Sequence, residues 1–145
     1  MNLLIILIGL WCVFSLFSKN KKTQPLHKSE WNLYQLVKKK YPRAEYQKKF
    51  LWLGKQSFDI YIPGKKIAIE YQGRQHFEPV ECFGGNSGYK HQRVLDKMKK
   101  FKCRDNKVQL LYFTFDKKMP RKLHGIKVYT DINKLLRRIK YSWLY

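Results

Sequence analysis

Residues 57–72 read SFDIYIPGKKIAIEYQ, and this stretch decides the fold of the chain. Apolar and polar residues alternate on both sides of a Pro-Gly-Lys-Lys segment, which is the pattern of two β-strands joined by a tight turn. The strand over 57–62 is predicted to place Phe58 on one face together with the two isoleucines that follow it. The strand over 66–72 is predicted to bury its isoleucines and its tyrosine in the same way. The stretch therefore predicts an antiparallel hairpin.

The other face of this hairpin carries Asp59, Glu70 and Gln72. If Gly64 and Lys65 are the central residues of the turn, Asp59 and Glu70 are direct cross-strand neighbours, with Cβ atoms about 5 Å apart. Two carboxylates at that distance repel each other, and a divalent cation with oxygen ligands would relieve the repulsion. The alternative is that each carboxylate pairs with one of the many lysines.

Helices and further strands are predicted on both sides of the hairpin. Ser29 stands in N-cap position before a helix that ends at Pro42 and has Leu33, Leu36 and Val37 on one face. Strands are predicted over 46–53, 108–115 and 126–129, and a last helix begins at Asp131. With a further helix after the hairpin, the order α-β-β-β-α-β predicts an α/β fold with one mixed central sheet.

That further helix is predicted over 89–104 and follows a glycine-rich loop at 82–88. Its apolar side chains fall at helical spacing and predict the face that packs against the sheet. They are Val94, Leu95, Met98 and Phe101.

The charge of the chain is strongly positive. Among 145 residues there are 31 Lys and Arg against 10 Asp and Glu, a formal net charge of +21. Such an excess favours polyanionic partners, either nucleic acid or an anionic membrane surface, although it also fits a basic protein whose charge serves solubility. The three cysteines include no C-x-x-C pair, which argues against a disulfide framework and a zinc ribbon.

The N-terminal segment is uncharged and almost wholly apolar from Leu3 to Phe17. A helix of this length nearly spans a bilayer, and it lacks the basic start and the cleavage site of a signal peptide. We expect a hydrophobic helix that acts as a transmembrane anchor at 1–18, a basic linker at 19–28 and a globular domain at 29–145. The lysines of the linker predict a single-pass membrane protein whose domain faces the cytoplasm.

The hairpin and its flanks resemble the PD-(D/E)xK, or restriction-endonuclease-like, nuclease superfamily. Asp59 followed by Glu70-Tyr71-Gln72 matches the signature of that superfamily except at its last position. The longer run IEYQGRQH at 69–76, the Phe-Gly-Gly at 83–85 and an R-x-x-D pair at 93–96 resemble a bacterial and phage branch, distantly like the very-short-patch-repair endonucleases. The resemblance covers roughly residues 29–115 and implies the same α-β-β-β-α-β core.

The resemblance implies a magnesium site, with manganese as a substitute. Asp59 and Glu70 would bind the ion, and the backbone carbonyl of Tyr71 would be a further ligand. Glu30 matches the position from which many members supply an additional acid. A simpler interpretation of Glu30 is that an acid in the first turn of a helix interacts favourably with the helix dipole.

Gln72 stands where the superfamily has a lysine, and it can orient a water molecule but carries no charge. The missing cation is expected from the following helix, with Lys97 the first candidate beside Lys90 and Arg93, or from Arg74. His76 would help to activate the water, as a histidine does in the very-short-patch-repair type. The other two histidines of the domain, His91 and His124, are predicted to lie on the surface.

These residues predict a metal-dependent nuclease, with DNA the favoured substrate and endonucleolytic cleavage the favoured reaction. No protein partner is predicted. Two alternatives stay open, namely an inactive nucleic-acid-binding module of the same fold and a basic protein of the membrane surface. The residues expected to contact nucleic acid are Arg74, Gln75, Lys90, Arg93, Lys97 and Lys100.

Overall fold

The computed structural model describes residues 28–142. Within them the chain forms three helices and six strands joined by short 3₁₀ turns. In chain order these are α1 (Lys28–Lys40), β1 (Glu45–Lys49), β2 (Ser57–Ile62), β3 (Ile67–Tyr71), α2 (Gly85–Asp105), β4 (Gln109–Phe113), β5 (Lys122–Leu123), β6 (Ile126–Tyr129) and α3 (Ile132–Lys140). The predicted α/β class with a mixed sheet is confirmed.

The six strands form one sheet in the order β1-β2-β3-β4-β6-β5. The first three strands run antiparallel to one another, and β4 pairs in parallel with both β3 and β6. The parallel pairing of β3 with β4 requires a crossover, which α2 provides. The strand β5 is only two residues long and was not predicted from the sequence.

The hairpin of β2 and β3 has the predicted register. Ile60 pairs with Ile69 and Ile62 pairs with Ile67. The turn is closed by the Lys66 N–H, which donates to the Pro63 carbonyl over 3.2 Å. The backbone pairs end at Ile60 and Ile69, so the two strands separate just where the carboxylates begin.

Helices cover both faces of the sheet. On one face α1 and α3 pack over Ile67 and Ile69, and on the other face α2 packs over Ala68. The prediction for Phe58 was wrong, because this ring lies with Tyr61 on the α2 face rather than with the isoleucines. The regular alternation breaks at Asp59, opposite which Gln47 of β1 adopts a left-handed backbone with φ 50°.

The predicted apolar face of α2 was also wrong. Val94, Met98 and Phe101 are 55%, 45% and 51% exposed, whereas Asp96 and Lys99 are buried against the sheet. The apolar spacing was read correctly as helical, but the helix presents its polar face to the interior. The reason is the candidate site described below, which draws its charged groups from that face.

The ends of several elements differ from the prediction. The helix α1 already includes Ser29, and it buries Tyr34 while Leu36 stays 42% exposed. The strand predicted over 46–53 ends at Lys49, after which residues 51–53 form a 3₁₀ turn.

The prediction of a single-pass membrane protein is corrected. No helix between residues 28 and 142 is long and apolar enough to cross a bilayer. The predicted N-terminal hydrophobic helix at 1–18, and the linker after it up to residue 27, lie outside the described residues. The membrane anchor and the membrane localisation are therefore withdrawn.

Candidate active site

The candidate site begins where β2 and β3 separate. Here each carboxylate accepts a hydrogen bond from the backbone of the opposite strand. The Tyr71 N–H donates to Asp59 Oδ2 over 2.7 Å, and the Asp59 N–H donates to Glu70 Oε1 over 3.4 Å. The two acids thus lie side by side, as the predicted register requires.

The environment of these two carboxyls disfavours their charged forms. Burial raises the pKa of Asp59 well above its ordinary value, and the carboxylates of Glu70 and then Glu30 raise it further. Burial also raises the pKa of Glu70, which is 6% exposed, although Lys99 opposes that rise. Asp59 is only half-buried as a residue, yet the surrounding protein desolvates its carboxyl group. The pair forms an acidic centre, and any added positive charge favours the charged forms of its carboxyls.

Lys99 of α2 supplies a positive charge to this centre. Its ammonium group donates to Glu70 Oε2 over 2.5 Å and to the Ser57 carbonyl over 2.9 Å. Although burial acts to lower the pKa of Lys99, the Glu70 and Asp59 carboxylates raise it above its ordinary value, so the amine is held in its charged form. Lys99 was not among the predicted site residues.

A sequence signal for Lys99 did exist. Gln92, Asp96, Lys99 and Cys103 recur at helical spacing and all lie on the inner face of α2. Hydrophobic spacing selects the opposite side of the helix, and only the contact of Lys99 with Glu70 identifies the inner face.

Glu30 extends the acidic cluster from α1. It is 7% exposed and accepts a hydrogen bond from the Gln47 side chain, whose Oε1 in turn accepts one from Ser57 Oγ over 2.6 Å. Burial, together with the Glu30 carboxylate, raises the pKa of Tyr46 to about 12. Glu30 is therefore held by side chains from β1 and β2, and its position does more than complement the helix dipole.

A cleft of about 550 Å³ opens over these acids. Glu30, Asp59, Glu70 and Tyr71 line it, as the predicted metal ligands should, and Lys99 closes one side. Two further lysines, Lys28 and Lys55, give the rest of the wall a positive character, and His76 also lines it.

His76 is oriented by a carboxylate on α2. Its Nδ1 lies 2.9 Å from Asp96 Oδ2, and Gln92 Nε2 donates to the other oxygen of Asp96 over 2.8 Å. Burial acts to raise the pKa of Asp96, but the hydrogen bond and charge of His76 outweigh it and lower that pKa. Because Nδ1 faces Asp96, Nε2 is the nitrogen of His76 available for chemistry in the cleft.

His124 lies behind the same carboxylate. Its side chain is 3% exposed, so the prediction of a surface residue was wrong, whereas His91 is exposed as predicted. His124 Nε2 is 3.8 Å from Asp96 Oδ2 and has no hydrogen-bond partner within residues 28–142. Burial lowers the pKa of His124.

The other predicted residues occupy several different places. Gln72 is 1% exposed and lies outside the cleft lining, and its Oε1 has no partner in the described part of the chain. Gln75 lines the cleft. Arg74 is exposed and forms an ion pair with Glu78 at 2.6 Å.

The predicted basic residues of α2 lie away from the acids. Lys97, Lys90 and Arg93 are exposed, and none of them lines the cleft. Arg93 packs over Tyr89, with the guanidinium carbon 5.6 Å from the ring centroid. Lys100 donates to the His124 carbonyl over 2.6 Å.

The donor set fits a hard divalent cation better than zinc. Within residues 28–142, no three His, Cys, Asp or Glu side chains are grouped as a metal cage would require. Magnesium typically takes only one or two protein carboxylates and keeps several waters, and its ligands are oxygens. Asp59 and Glu70 form an oxygen-donor pair of that kind at the point where β2 and β3 separate.

Comparisons with known proteins leave the family open. No protein-family model matches the chain, and no solved structure matches it. The chain is similar to the uncharacterized protein 307L of Invertebrate iridescent virus 6, with 35% identity over 54 residues. That similarity covers 37% of this chain and 27%, about a quarter, of the viral protein.

Proposed function

We propose that the chain is a metal-dependent nuclease that hydrolyses phosphodiester bonds in nucleic acid. One observation carries this proposal: Asp59, Glu70 and Lys99 meet at an open cleft of a protein with a net charge of +21. The resemblance to the PD-(D/E)xK superfamily favours the same activity, and DNA is the favoured substrate.

Asp59 and Glu70 would hold Mg²⁺ or Mn²⁺, and Glu30 and the Tyr71 carbonyl would be further oxygen ligands, since both residues line the same cleft. When bound, the ion would polarise the scissile phosphate and lower the pKa of a water molecule. The carboxylate pair fixes where this charge lies, at the point where β2 and β3 separate. The paired strands on one side and the Lys99 contact on the other keep both acids in place.

Lys99 would take the part of the lysine that Gln72 replaces. The Lys99 ammonium group reaches Glu70 from α2, whereas the lysine of the superfamily pattern would follow that acid at position 72. Lys99 nevertheless delivers positive charge to the Glu70 carboxylate. Negative charge that develops on a phosphate in the cleft would be offset by this buried cation. Gln72 is buried and lies outside the cleft lining, which favours Lys99 over Gln72 for this part.

His76 would accept a proton from the attacking water through Nε2. Asp96 fixes the imidazole through Nδ1 and stabilises the positive charge that forms on the ring after proton transfer. An imidazole held in this way suits general-base catalysis near neutral pH. Asp96 is a positioning residue, since it contacts His76 and not the cleft.

The excess of basic residues would bind the phosphate backbone without reading the sequence. Lys28 and Lys55 line the cleft and would contact the phosphates nearest to the acids. The exposed Lys90, Arg93 and Lys97 would contact more distant phosphates. Binding is therefore expected to weaken steeply as the salt concentration rises.

A second candidate is an inactive nucleic-acid-binding module of the same fold. The observation that favours it is the direct contact of Lys99 with Glu70, because a lysine in that place competes with a metal ion for the carboxylate. This candidate keeps the basic cleft but not the hydrolysis.

The experiment that tests the proposal uses the full chain with supercoiled plasmid and, separately, with structured RNA. Each substrate is incubated with Mg²⁺, with Mn²⁺ and with EDTA, using the wild type, Glu70→Ala and, as a matched control, the exposed Glu81→Ala. We expect cleavage that needs the metal, is lost in Glu70→Ala and persists in Glu81→Ala. Salt-sensitive binding without cleavage in either metal would reject the nuclease in favour of the binding module.

A further inference from the structure

A second cavity adjoins the cleft at the start of α2. Its volume is about 330 Å³, which lies at the lower end of the ~300–1,000 Å³ typical of small-molecule sites. Gln75, Phe83 and Gln92 line both this cavity and the cleft. The two spaces therefore share a wall, and a ligand that occupies one can extend into the other.

The walls of this cavity combine aromatic rings with amide groups. Phe83 and Tyr89 provide flat apolar surface, and Gln75 and Gln92 provide amide donors and acceptors. Within residues 28–142 the side-chain amide of Gln75 has no hydrogen-bond partner. The Gln92 Nε2 donates to Asp96, which leaves the Gln92 Oε1 available to accept a hydrogen bond from a ligand. A nucleobase matches such walls, because it has a π-face for stacking and polar groups along its edge.

The backbone of Phe83 is held in a tight turn, although the residue is 57% exposed. Its N–H donates to the Val80 carbonyl over 2.9 Å, and the Gly85 N–H donates to the same carbonyl over 3.1 Å. Gly88 packs so closely that a Cβ there would overlap the Phe83 carbonyl oxygen. Because the backbone here is already ordered by these contacts, a ligand that stacks on the ring has only the side-chain torsions of Phe83 to order.

We propose that this cavity binds an unpaired nucleobase of a nucleic acid strand, with Phe83 as the stacking platform. The inference rests on the proposed function only for the placement of the adjacent phosphodiester in the cleft. A base that remains in a duplex is already stacked and paired, so it must leave the helix before it can enter. The substrate class is therefore a single strand or a locally unpaired site rather than an intact duplex.

The test measures binding by the full chain in EDTA, so that it does not depend on cleavage. A fluorescent oligonucleotide of about 12 nucleotides, within the usual range for single-strand binders, is compared with the same sequence as a duplex at one fixed salt concentration. Phe83→Ala is compared with Phe101→Ala, an equally exposed phenylalanine of α2 that lines neither cavity.

We expect Phe83→Ala to weaken single-strand binding by roughly 5- to 150-fold, the range for loss of one base–aromatic stack. Duplex binding should stay nearly unchanged, and Phe101→Ala should bind both ligands like the wild type. A strand that carries 2-aminopurine should lose fluorescence on binding to the wild type, a readout that needs no variant.

Equal effects of the two substitutions would overturn the inference, as would an equal loss of duplex and single-strand binding in Phe83→Ala. Unchanged 2-aminopurine fluorescence in a saturated wild-type complex would also overturn it. Failure of the nuclease proposal is distinguishable, because it would be an absence of cleavage with Mg²⁺ and Mn²⁺. That result is independent of the binding measured in EDTA.

Discussion

Replacing Lys99 by methionine should destabilise the folded protein, because the Glu70 carboxylate then lacks its buried counter-charge. Methionine keeps much of the apolar stem against the sheet but removes the ammonium that contacts Glu70 Oε2 at 2.5 Å. Loss of one member of a buried ion pair typically costs ~3–5 kcal/mol, because the other charge is left without compensation. We expect the free energy of unfolding at pH 8 to fall by about 3 kcal/mol.

The size of this loss should depend on pH. Burial raises the pKa of Glu70, and removing Lys99 raises it further. A carboxyl whose pKa is raised in the folded state binds more protons there than in the unfolded chain, so folding becomes more favourable as the pH falls through the raised pKa. At pH 5 a larger share of Glu70 is protonated in the variant, and the loss should be smaller than at pH 8.

Urea unfolding followed by tryptophan fluorescence at pH 5 and pH 8 measures both effects. Lys97→Met is the matched control, since Lys97 is an exposed lysine of the same helix, and its effect should stay within about 0.5 kcal/mol. A loss below about 1 kcal/mol for Lys99→Met, or an equal loss at the two pH values, would refute the reasoning.

Three further substitutions test separate parts of the structure. Asp59→Asn should raise the free energy of unfolding in urea by about 0.5–2 kcal/mol at pH 8, and by less at pH 5. Burial raises the pKa of Asp59, so its charged form opposes folding above that pKa, and destabilisation at pH 8 would contradict this reasoning. Asp96→Asn should slow metal-dependent cleavage by about 10- to 100-fold and change its pH profile, since His76 loses the carboxylate at 2.9 Å; an unchanged profile would remove Asp96 from the mechanism. Gly88→Ala should lower the free energy of unfolding by about 1–3 kcal/mol, because the added Cβ overlaps a carbonyl oxygen. Gly64→Ala is the control and should leave the free energy of unfolding unchanged, because a Cβ there has nothing within 4 Å.

The hairpin could be predicted in detail because its information is local. A Pro-Gly-Lys-Lys turn fixes which residues face each other, so the pairing of Ile60 with Ile69 follows from the sequence. The closeness of Asp59 and Glu70 follows from the same register.

The orientation of α2 could not be predicted because it depends on a contact distant in sequence. Hydrophobic spacing selects Val94, Met98 and Phe101 as the buried face, yet the helix buries Asp96 and Lys99. That choice is favourable only because Glu70, 29 residues earlier, accepts the ammonium of Lys99. A buried ion pair can therefore reverse the usual rule that the apolar face of a helix packs inward.

The break in alternation at Phe58 has a similar origin. The left-handed backbone of Gln47, on the neighbouring strand, lies opposite Asp59 and cannot be read from a strand-like sequence. Gln47 also holds Glu30 and Ser57, so the distortion serves the acidic cluster. The local conformation is set by these side-chain contacts rather than by strand propensity.

The most direct test of the central claim is a calorimetric titration of the full chain with Mn²⁺, which replaces Mg²⁺ at oxygen sites. The wild type is compared with Asp59→Asn, Glu70→Gln and, as a control, Glu78→Gln, whose side chain is 46% exposed. We predict one binding event that is lost in both substitutions of the carboxylate pair and retained in Glu78→Gln. Identical binding in all four proteins, or none in the wild type, would contradict the assignment of Asp59 and Glu70 as a metal centre.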